Sequence, residues 1–108
     1  MNVIKQEDFI ASVAGALQYI SYFHPVDYIT SLAKAYEKEQ SPAAKDAMAQ
    51  ILINSRMCAE GHRPICQDTG IVTAFVKVGL NVRFEAAPGE ETKDLQQMVD
   101  EGVRRAYL

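Results

Sequence analysis

The spacing of apolar residues along this chain changes from helical to strand-like at Gly61, and this change restricts the folds that it can adopt. Before Gly61, apolar residues recur at helical spacing, which predicts amphipathic helices that each bury one face. After Gly61, residues 71–78 are mostly apolar and rich in β-branched side chains, which predicts a strand covered on both sides. The order of the two patterns predicts a helix-rich α+β fold.

Three helices joined by short connections are predicted in the first part of the chain. Their approximate bounds are residues 5–21, 25–39 and 42–60. Pro25 and the pair Ser41-Pro42 mark helix starts, because serine caps a helix and proline is tolerated in the first turn. Gly61 is the expected left-handed stop of the third helix. The short connections predict that the three helices pack as an antiparallel bundle.

One or two strands and a last helix are predicted in the remainder. Gly79 marks a bulge or turn after the strand over 71–78, and Val82-Arg83-Phe84 alternate as a half-exposed strand does. A hairpin and a single bent strand both agree with this pattern. Thr92 is the predicted cap of a helix over about residues 92–107. That helix reaches the last residues without a stop signal, so residues 1–108 are expected to be one domain at the N-terminal end of a longer protein.

Composition excludes several classes of protein. The net charge is −3, and Arg104-Arg105 is the only adjacent basic pair, so no surface for nucleic acid is predicted. The first residues turn acidic where a signal peptide would be apolar, and no apolar run approaches the roughly 20 residues of a membrane helix. Two cysteines are too few for a disulfide scaffold. A cytoplasmic location with reduced thiols is expected.

The segment Cys66-Gln67-Asp68 carries the strongest functional signal. It places a thiol beside an amide and a carboxylate, in a loop that leads into the predicted strand. A thiolate can hold a metal, and neighbouring oxygens can bind a substrate or move a proton. The alternatives are a cysteine packed as a small apolar residue and an aspartate bonded within its own turn.

Asp68-Thr69-Gly70 has a second possible meaning, since Asp-Thr-Gly is the active-site triplet of dimeric aspartic proteases of the retroviral type. In those enzymes an aspartate from each subunit shares one proton. Two features argue against this interpretation here. About 60 residues with helical spacing precede the triplet, and Cys66-Gln67 stands where the proteases have an apolar strand.

Polar and sulfur side chains near the motif are interpreted more conservatively. Cys58 lies on the apolar stripe of the third helix and is expected to pack in the core. Asn54, one turn earlier, is expected to bond the backbone of the following loop, since a buried amide must be satisfied. His62 and Arg63 are expected to be solvated, although Arg63 could attract a dicarboxylate. His24 is expected to be a linker residue or a helix cap.

Two stretches of the sequence resemble the N-terminal part of the iron–sulfur (class I) fumarate hydratases and their relatives, the L-tartrate dehydratase-type hydro-lyases. The first runs from Ile53-Asn54-Ser55-Arg56-Met57 through Gly61 to Gly70 and on along the predicted strand. The second is Gly102-Val103-Arg104-Arg105-Ala106-Tyr107. The sequence Cys-Gln-Asp-Thr-Gly is specific to this group.

The resemblance implies a role for each residue of the motif. Cys66 would be one of three protein ligands of a 4Fe–4S cluster. Gln67 would hydrogen-bond the substrate, and Asp68 would line the same site and take part in proton transfer or orient the group that does. Thr69 and Gly70 would shape the turn that brings these side chains to the iron.

The resemblance also implies partners. Fumarate or malate would be the substrate, the other cluster ligands would lie in the rest of the catalytic chain or in a partner subunit, and the complete protein would be a homodimer. Residues 1–108 alone are then expected to be inactive and to hold no stable cluster. An L-tartrate dehydratase-type subunit and a non-catalytic helical interaction module remain as alternatives.

Overall fold

The computed structural model describes residues 1–66 and 71–108, whose contacts divide into two compact units. One unit contains Met1–Gln18 and residues 71–108, and the other contains residues 19–66. The elements in chain order are β1 Asn2–Lys5, α1 Gln6–Tyr22, α2 Val26–Lys38, α3 Pro42–Gly61, β2 Val82–Glu85 and α4 Leu95–Ala106. In the described part of the chain no helix is long and apolar enough to cross a membrane.

The predicted α+β class is confirmed, and the three N-terminal helices lie within one residue or so of their predicted bounds. Residues 6–18 of α1 group with α4 and the sheet, whereas α2 packs against α3 in the other unit.

The sheet contains the two strands β1 and β2, which are parallel. Their register runs from Asn2 opposite Val82 to Lys5 opposite Glu85. The predicted alternation of the second strand is confirmed, because Val82 and Phe84 are half-buried while Arg83 and Glu85 are exposed. Phe84 meets Phe9 of α1 edge to face, with 5.0 Å between ring centroids. β1 was not predicted, since its partner lies about eighty residues further along the chain.

The strand predicted over 71–78 is wrong for this structure. Residues 71–79 have no regular secondary structure, and the strand lies at β2 instead. Ile71, Phe75 and Leu80 are 94%, 95% and 101% exposed. A β-branched run becomes a strand only when neighbouring strands supply hydrogen bonds and cover its faces. The described residues supply neither.

Two predicted helix ends are also corrected. α4 begins after Asp94 rather than Thr92, because Asp94 and Gln97 form a reciprocal capping box with N–H···O distances of 2.8 and 2.9 Å. At the end of α3, His62 rather than Gly61 adopts the left-handed conformation, with φ 51°. Gly61 completes the helix.

α1 and α4 approach each other closely at Gly102. A methyl group at Gly102 would lie 2.6 Å from Val13 Cγ1 and 3.2 Å from the carbonyl oxygen of Ile10. Ile10 and Met98, from the same two helices, are both 1% exposed and form the core of this unit. The small residue is therefore required by helix packing.

Gln6 connects the start of α1 to the segment before α4, and it is 1% exposed. Its amide nitrogen donates to Glu90 Oε1 at 2.7 Å and to the carbonyl of Glu91 at 2.9 Å, and its Oε1 accepts from the backbone of Lys93 at 2.8 Å. A buried amide costs stability unless it is hydrogen-bonded, and both ends of Gln6 are satisfied. The segment 90–93 is thereby fixed to α1.

We predict that Gly102→Ala lowers the free energy of unfolding by about 1–3 kcal/mol, the usual cost of overpacking a core. Gly15→Ala in α1 is the matched control, because its new methyl would meet nothing within 4 Å. That control is expected to raise stability by about 0.5–1 kcal/mol, since alanine is the better helix former. Denaturant unfolding of both variants checks the prediction, and equal effects would contradict it.

Charged side chains join the end of α4 to the start of α1. Glu101 accepts from Arg104 Nε at 2.8 Å and from Arg105 Nε at 3.1 Å, and Arg105 also pairs with Glu7. Hydrogen bonds from Arg104 and then Arg105 lower the pKa of Glu101 to about 2 from an ordinary 4.5. A hydrogen bond from Arg105 is likewise the main cause that lowers the pKa of Glu7.

A carboxyl group with a lowered folded-state pKa stabilises the fold above its ordinary pKa, and this contribution is lost as the pH falls through the folded-state value. We therefore predict that Glu101→Gln is less stable than the natural chain at pH 7. The difference should shrink between about pH 4.5 and 2, where Glu101 takes up its proton. Unfolding curves of the two proteins across this range measure it, and a difference that is constant with pH would contradict the assignment.

Candidate functional site

Cys66 lies at the end of a short loop that follows α3, and its side chain is exposed and free of any disulfide. The other four residues of the predicted motif, Gln67, Asp68, Thr69 and Gly70, lie outside the described residues. The structure therefore places the thiol and the backbone that leads to it.

The loop starts from a well-formed helix end. The N–H groups of His62 and Arg63 both donate to the carbonyl of Cys58, the latter at 3.0 Å, which satisfies an oxygen left open at the end of α3. The His62 ring stacks on Tyr22, with 5.7 Å between centroids and 3° between planes. This contact accompanies a left-handed conformation that non-glycine residues adopt only at some cost. His62 was expected to be solvated, and its exposed ring is in fact stacked.

The two residues directly before Cys66 are held by their backbone. Pro64 has no N–H, so Pro64 and Ile65 together carry three main-chain polar groups. The N–H of Ile65 donates to the carbonyl of Ser21 at 2.8 Å. The carbonyl of Ile65 accepts from Asn54 Nδ2 at 3.1 Å, and the carbonyl of Pro64 lies 3.4 Å from Cys58 Sγ. All three groups thus have partners from α1 or α3.

The expectations for Asn54 and Cys58 are confirmed. Asn54 bonds the loop backbone, although it is exposed rather than buried. Cys58 is 6% exposed and packs in the core, with its Sγ 3.6 Å from Asn54 Oδ1 as well as close to Pro64. Its single S–H can be donated to either oxygen. Cys58 is therefore occupied by contacts within the protein, in contrast to the exposed thiol of Cys66.

A contact that sequence reasoning missed joins the loop after α1 to α3. His24 Nδ1 lies 2.9 Å from Ser55 Oγ, and the His24 ring stacks on Tyr28 at 4.7 Å between centroids. Ser55 is 7% exposed, so the histidine satisfies a buried hydroxyl. The sequence feature that could have predicted this contact is Ser55, a polar residue on the apolar stripe of the third helix, which needs a hydrogen-bond partner when buried.

The described residues offer one sulfur ligand at this loop and no group of three or more metal-binding side chains. A thiolate is a metal ligand and a nucleophile, and Arg63 stands exposed three residues before it with a positive charge suited to a carboxylate. Cys66 can thus contribute one ligand to a metal centre whose other ligands come from elsewhere.

The loop thus presents one thiol directly before the sequence Gln-Asp-Thr-Gly. In sequence comparison, the profile of the family described as Fumarate hydratase (Fumerase) matches residues 10–108. The chain belongs to the fumarate hydratase (Fumerase) family.

Individual relatives carry a related name. The chain is 33% identical over 82 residues to a Methanocaldococcus jannaschii protein named "Putative L(+)-tartrate dehydratase subunit alpha", covering 76% of this chain and 27% of that protein. It is 34% identical over 96 residues to the L(+)-tartrate dehydratase subunit alpha of Escherichia coli K12, covering 89% of this chain and 31% of that protein. The chain thus spans under a third of the length of these relatives. No solved structure matches it.

The different burial of the two cysteines leads to a prediction about thiol reactivity. In the native chain, the thiol reagent dithiobis(nitrobenzoate) should react with one thiol, that of Cys66. Cys58 should react only in denaturant, because it is 6% exposed. Cys66→Ser should remove the native reaction, and Cys58→Ser should keep it. Two reactive thiols in the native chain would show that Cys58 is accessible and could serve as a ligand.

Proposed function

We propose that this chain supplies the cysteine-bearing part of a hydro-lyase of the class I fumarate hydratase type, in which Cys66 is one ligand of a 4Fe–4S cluster. The observation that carries the proposal is an exposed thiol without a disulfide, directly before Gln67-Asp68-Thr69-Gly70, in a member of this family. The backbone of the loop before this thiol is hydrogen-bonded to α3 through Asn54. Iron–sulfur centres are held by cysteine thiolates, so the donor chemistry of Cys66 fits.

Each residue of the motif then has a role in the proposed reaction. The cluster, when bound, would act as a Lewis acid toward the carboxylate and hydroxyl of the substrate. Cys66 would hold the iron, Gln67 would hydrogen-bond the substrate, and Asp68 would take part in transfer of the carbon-bound proton or orient the group that does. Thr69 and Gly70 shape the turn between them. Arg63 attracts the dianionic substrate to the site.

Hydration of fumarate adds water across a double bond without any change of redox state. The hydroxyl joins one carbon and a proton joins the other, so the site needs an acid/base group as well as a polarised substrate. L-tartrate is the second candidate substrate, because the relatives are named L(+)-tartrate dehydratase alpha subunits. Its dehydration gives an enol that becomes a keto acid, and it uses the same groups in the reverse direction.

The remaining cluster ligands are proposed to come from further polypeptide, either the same chain continued or a partner subunit. Two observations support this. The relatives are more than three times as long as the matched region and are named as alpha subunits. The segment 71–80 also leaves Ile71, Phe75 and Leu80 almost fully exposed, although its composition suits a strand covered on both faces. A homodimer of the complete enzyme in the reducing cytoplasm completes the proposal.

The proposal is tested on the protein as the cell makes it. An affinity tag added to the native gene allows oxygen-free purification together with whatever polypeptide completes the enzyme. Loss of the ultraviolet absorbance of fumarate reports hydration, and keto acid formation reports L-tartrate dehydration. Cys66→Ser should abolish both the visible absorbance of the cluster and the activity, by at least about 100-fold, since even outer partners of metal ligands contribute 10–100-fold.

Controls separate the family from the substrate. Arg56→Leu, on an exposed part of α3, should retain activity and absorbance. A wild-type protein that keeps its cluster but ignores fumarate would move the substrate to L-tartrate or a relative. Activity and absorbance unchanged in Cys66→Ser would overturn the assignment of Cys66 and favour a helical interaction module. Residues 1–108 alone should show no turnover and bind no stable cluster, because they contribute one ligand.

A further inference from the structure

We propose that Asn54 and Cys58 are positioning residues, which fix the backbone before Cys66 and thereby the place at which its thiol is presented. The inference rests on the proposed function, in which that thiol is a metal ligand. It concerns two side chains of α3 that do not touch the metal themselves.

The contacts are directed at the residues next to Cys66. Asn54 Nδ2 donates to the carbonyl of Ile65 at 3.1 Å, and Cys58 Sγ lies 3.4 Å from the carbonyl of Pro64. Asn54 and Cys58 are four residues apart, which places them on one face of α3, and Cys58 Sγ lies 3.6 Å from Asn54 Oδ1. The two side chains therefore act together, as a brace between the helix and the loop.

This brace is separate from the helix cap. The cap bonds run from the N–H groups of His62 and Arg63 to the backbone carbonyl of Cys58, and they involve neither side chain of the brace. Substituting Asn54 or the Cys58 side chain should therefore leave the end of α3 intact. What changes is the freedom of the loop at residues 64–66.

The energetic reason is that an exposed loop would otherwise sample many conformations. Fixing the backbone of a loop residue costs conformational entropy, and a metal that had to order this loop on binding would lose affinity by that amount. Two contacts from α3 side chains, those of Asn54 and Cys58, hold this loop. The bond from the Ile65 N–H to the Ser21 carbonyl is a third contact, and the ring of Pro64 restricts the backbone further.

The first experiment measures backbone amide hydrogen exchange of the chain 1–108 at residue resolution. Asn54→Leu removes the amide at similar volume, Cys58→Ala removes the sulfur, and Cys58→Ser keeps a donor. Exchange at Ile65 should rise by about 5–10-fold in Asn54→Leu, the effect of one net hydrogen bond, with a smaller rise in Cys58→Ala because a thiol is a weak donor. Cys58→Ser should stay close to the natural chain.

The matched control is Arg56→Leu. It makes the same kind of replacement on the same helix, where Arg56 pairs with Glu60 and its side chain is 81% exposed. A merely structural loss would speed exchange throughout α3, whereas loss of positioning speeds it only at the amides of Ile65 and Cys66. A nitroxide attached to Cys66 should also shift toward faster motion in Asn54→Leu. Unchanged exchange at Ile65 in Asn54→Leu and Cys58→Ala, or an equal rise in Arg56→Leu, would overturn the inference.

A second measurement, on the tagged protein purified without oxygen, separates this inference from the proposed function. Iron content and the low-temperature electron paramagnetic resonance spectrum of the reduced protein are compared between variants. Asn54→Leu should shift the spectrum or lower the iron content while Cys66→Ser loses the signal. Loss in Cys66→Ser with no change in Asn54→Leu would overturn the positioning role alone. Retention of the signal in Cys66→Ser would overturn the proposed function. The hydrogen-exchange data would then still show whether Asn54 and Cys58 fix the loop backbone.

Discussion

Main-chain hydrogen bonding of the loop before Cys66 is the constraint on which the candidate site depends. A loop residue at the surface can satisfy its backbone with water, yet both carbonyls and the one N–H of Pro64 and Ile65 are bonded by α1 and α3. Water would satisfy these groups equally well but would leave the chain free to move. Bonds to two helices hold the backbone directly before Cys66, which is what the proposed role of its thiol as a metal ligand requires.

The unit that contains α4 relies on a different kind of contact. Because Gly102 has no side chain, α4 packs so close to α1 that an added methyl group would lie 2.6 Å from Val13 Cγ1. The buried amide of Gln6 holds the segment that leads into α4. Close packing tolerates little change in volume, and a buried amide tolerates little loss of partners. Both contacts involve residues of α1, and Phe9 of α1 also packs against Phe84 of β2. The first turns of α1 therefore contact both α4 and the sheet.

Local sequence signals predicted the elements that depend on local energetics. Helices α1, α2 and α3 follow from apolar spacing and from start signals such as Ser41-Pro42, and Cys58 was correctly placed in the core. The bond from Asn54 to the loop was also predictable, because an amide next to a buried face needs a nearby acceptor. Errors arose where the decision was not local. The αL residue proved to be His62, whose ring stacks on Tyr22 from another helix, and the capping box of Asp94 and Gln97 displaced Thr92 as the helix start.

Sequence alone determined the helix-rich α+β class, the helical segments and the Cys66 motif that places the chain in the fumarate hydratase family, because propensity, spacing and residue type act within a few neighbouring positions. Tertiary structure decided which β-rich segments become strands. The four residues of β1 pair with β2 far along the chain, while the more strongly β-branched run over 71–78 stays irregular. Tertiary structure also decided which thiol is exposed, since Cys58 and Cys66 differ in burial through the packing of α3 and its loop. A strand needs a hydrogen-bonding neighbour and burial needs a covering surface, and both come from residues distant in sequence.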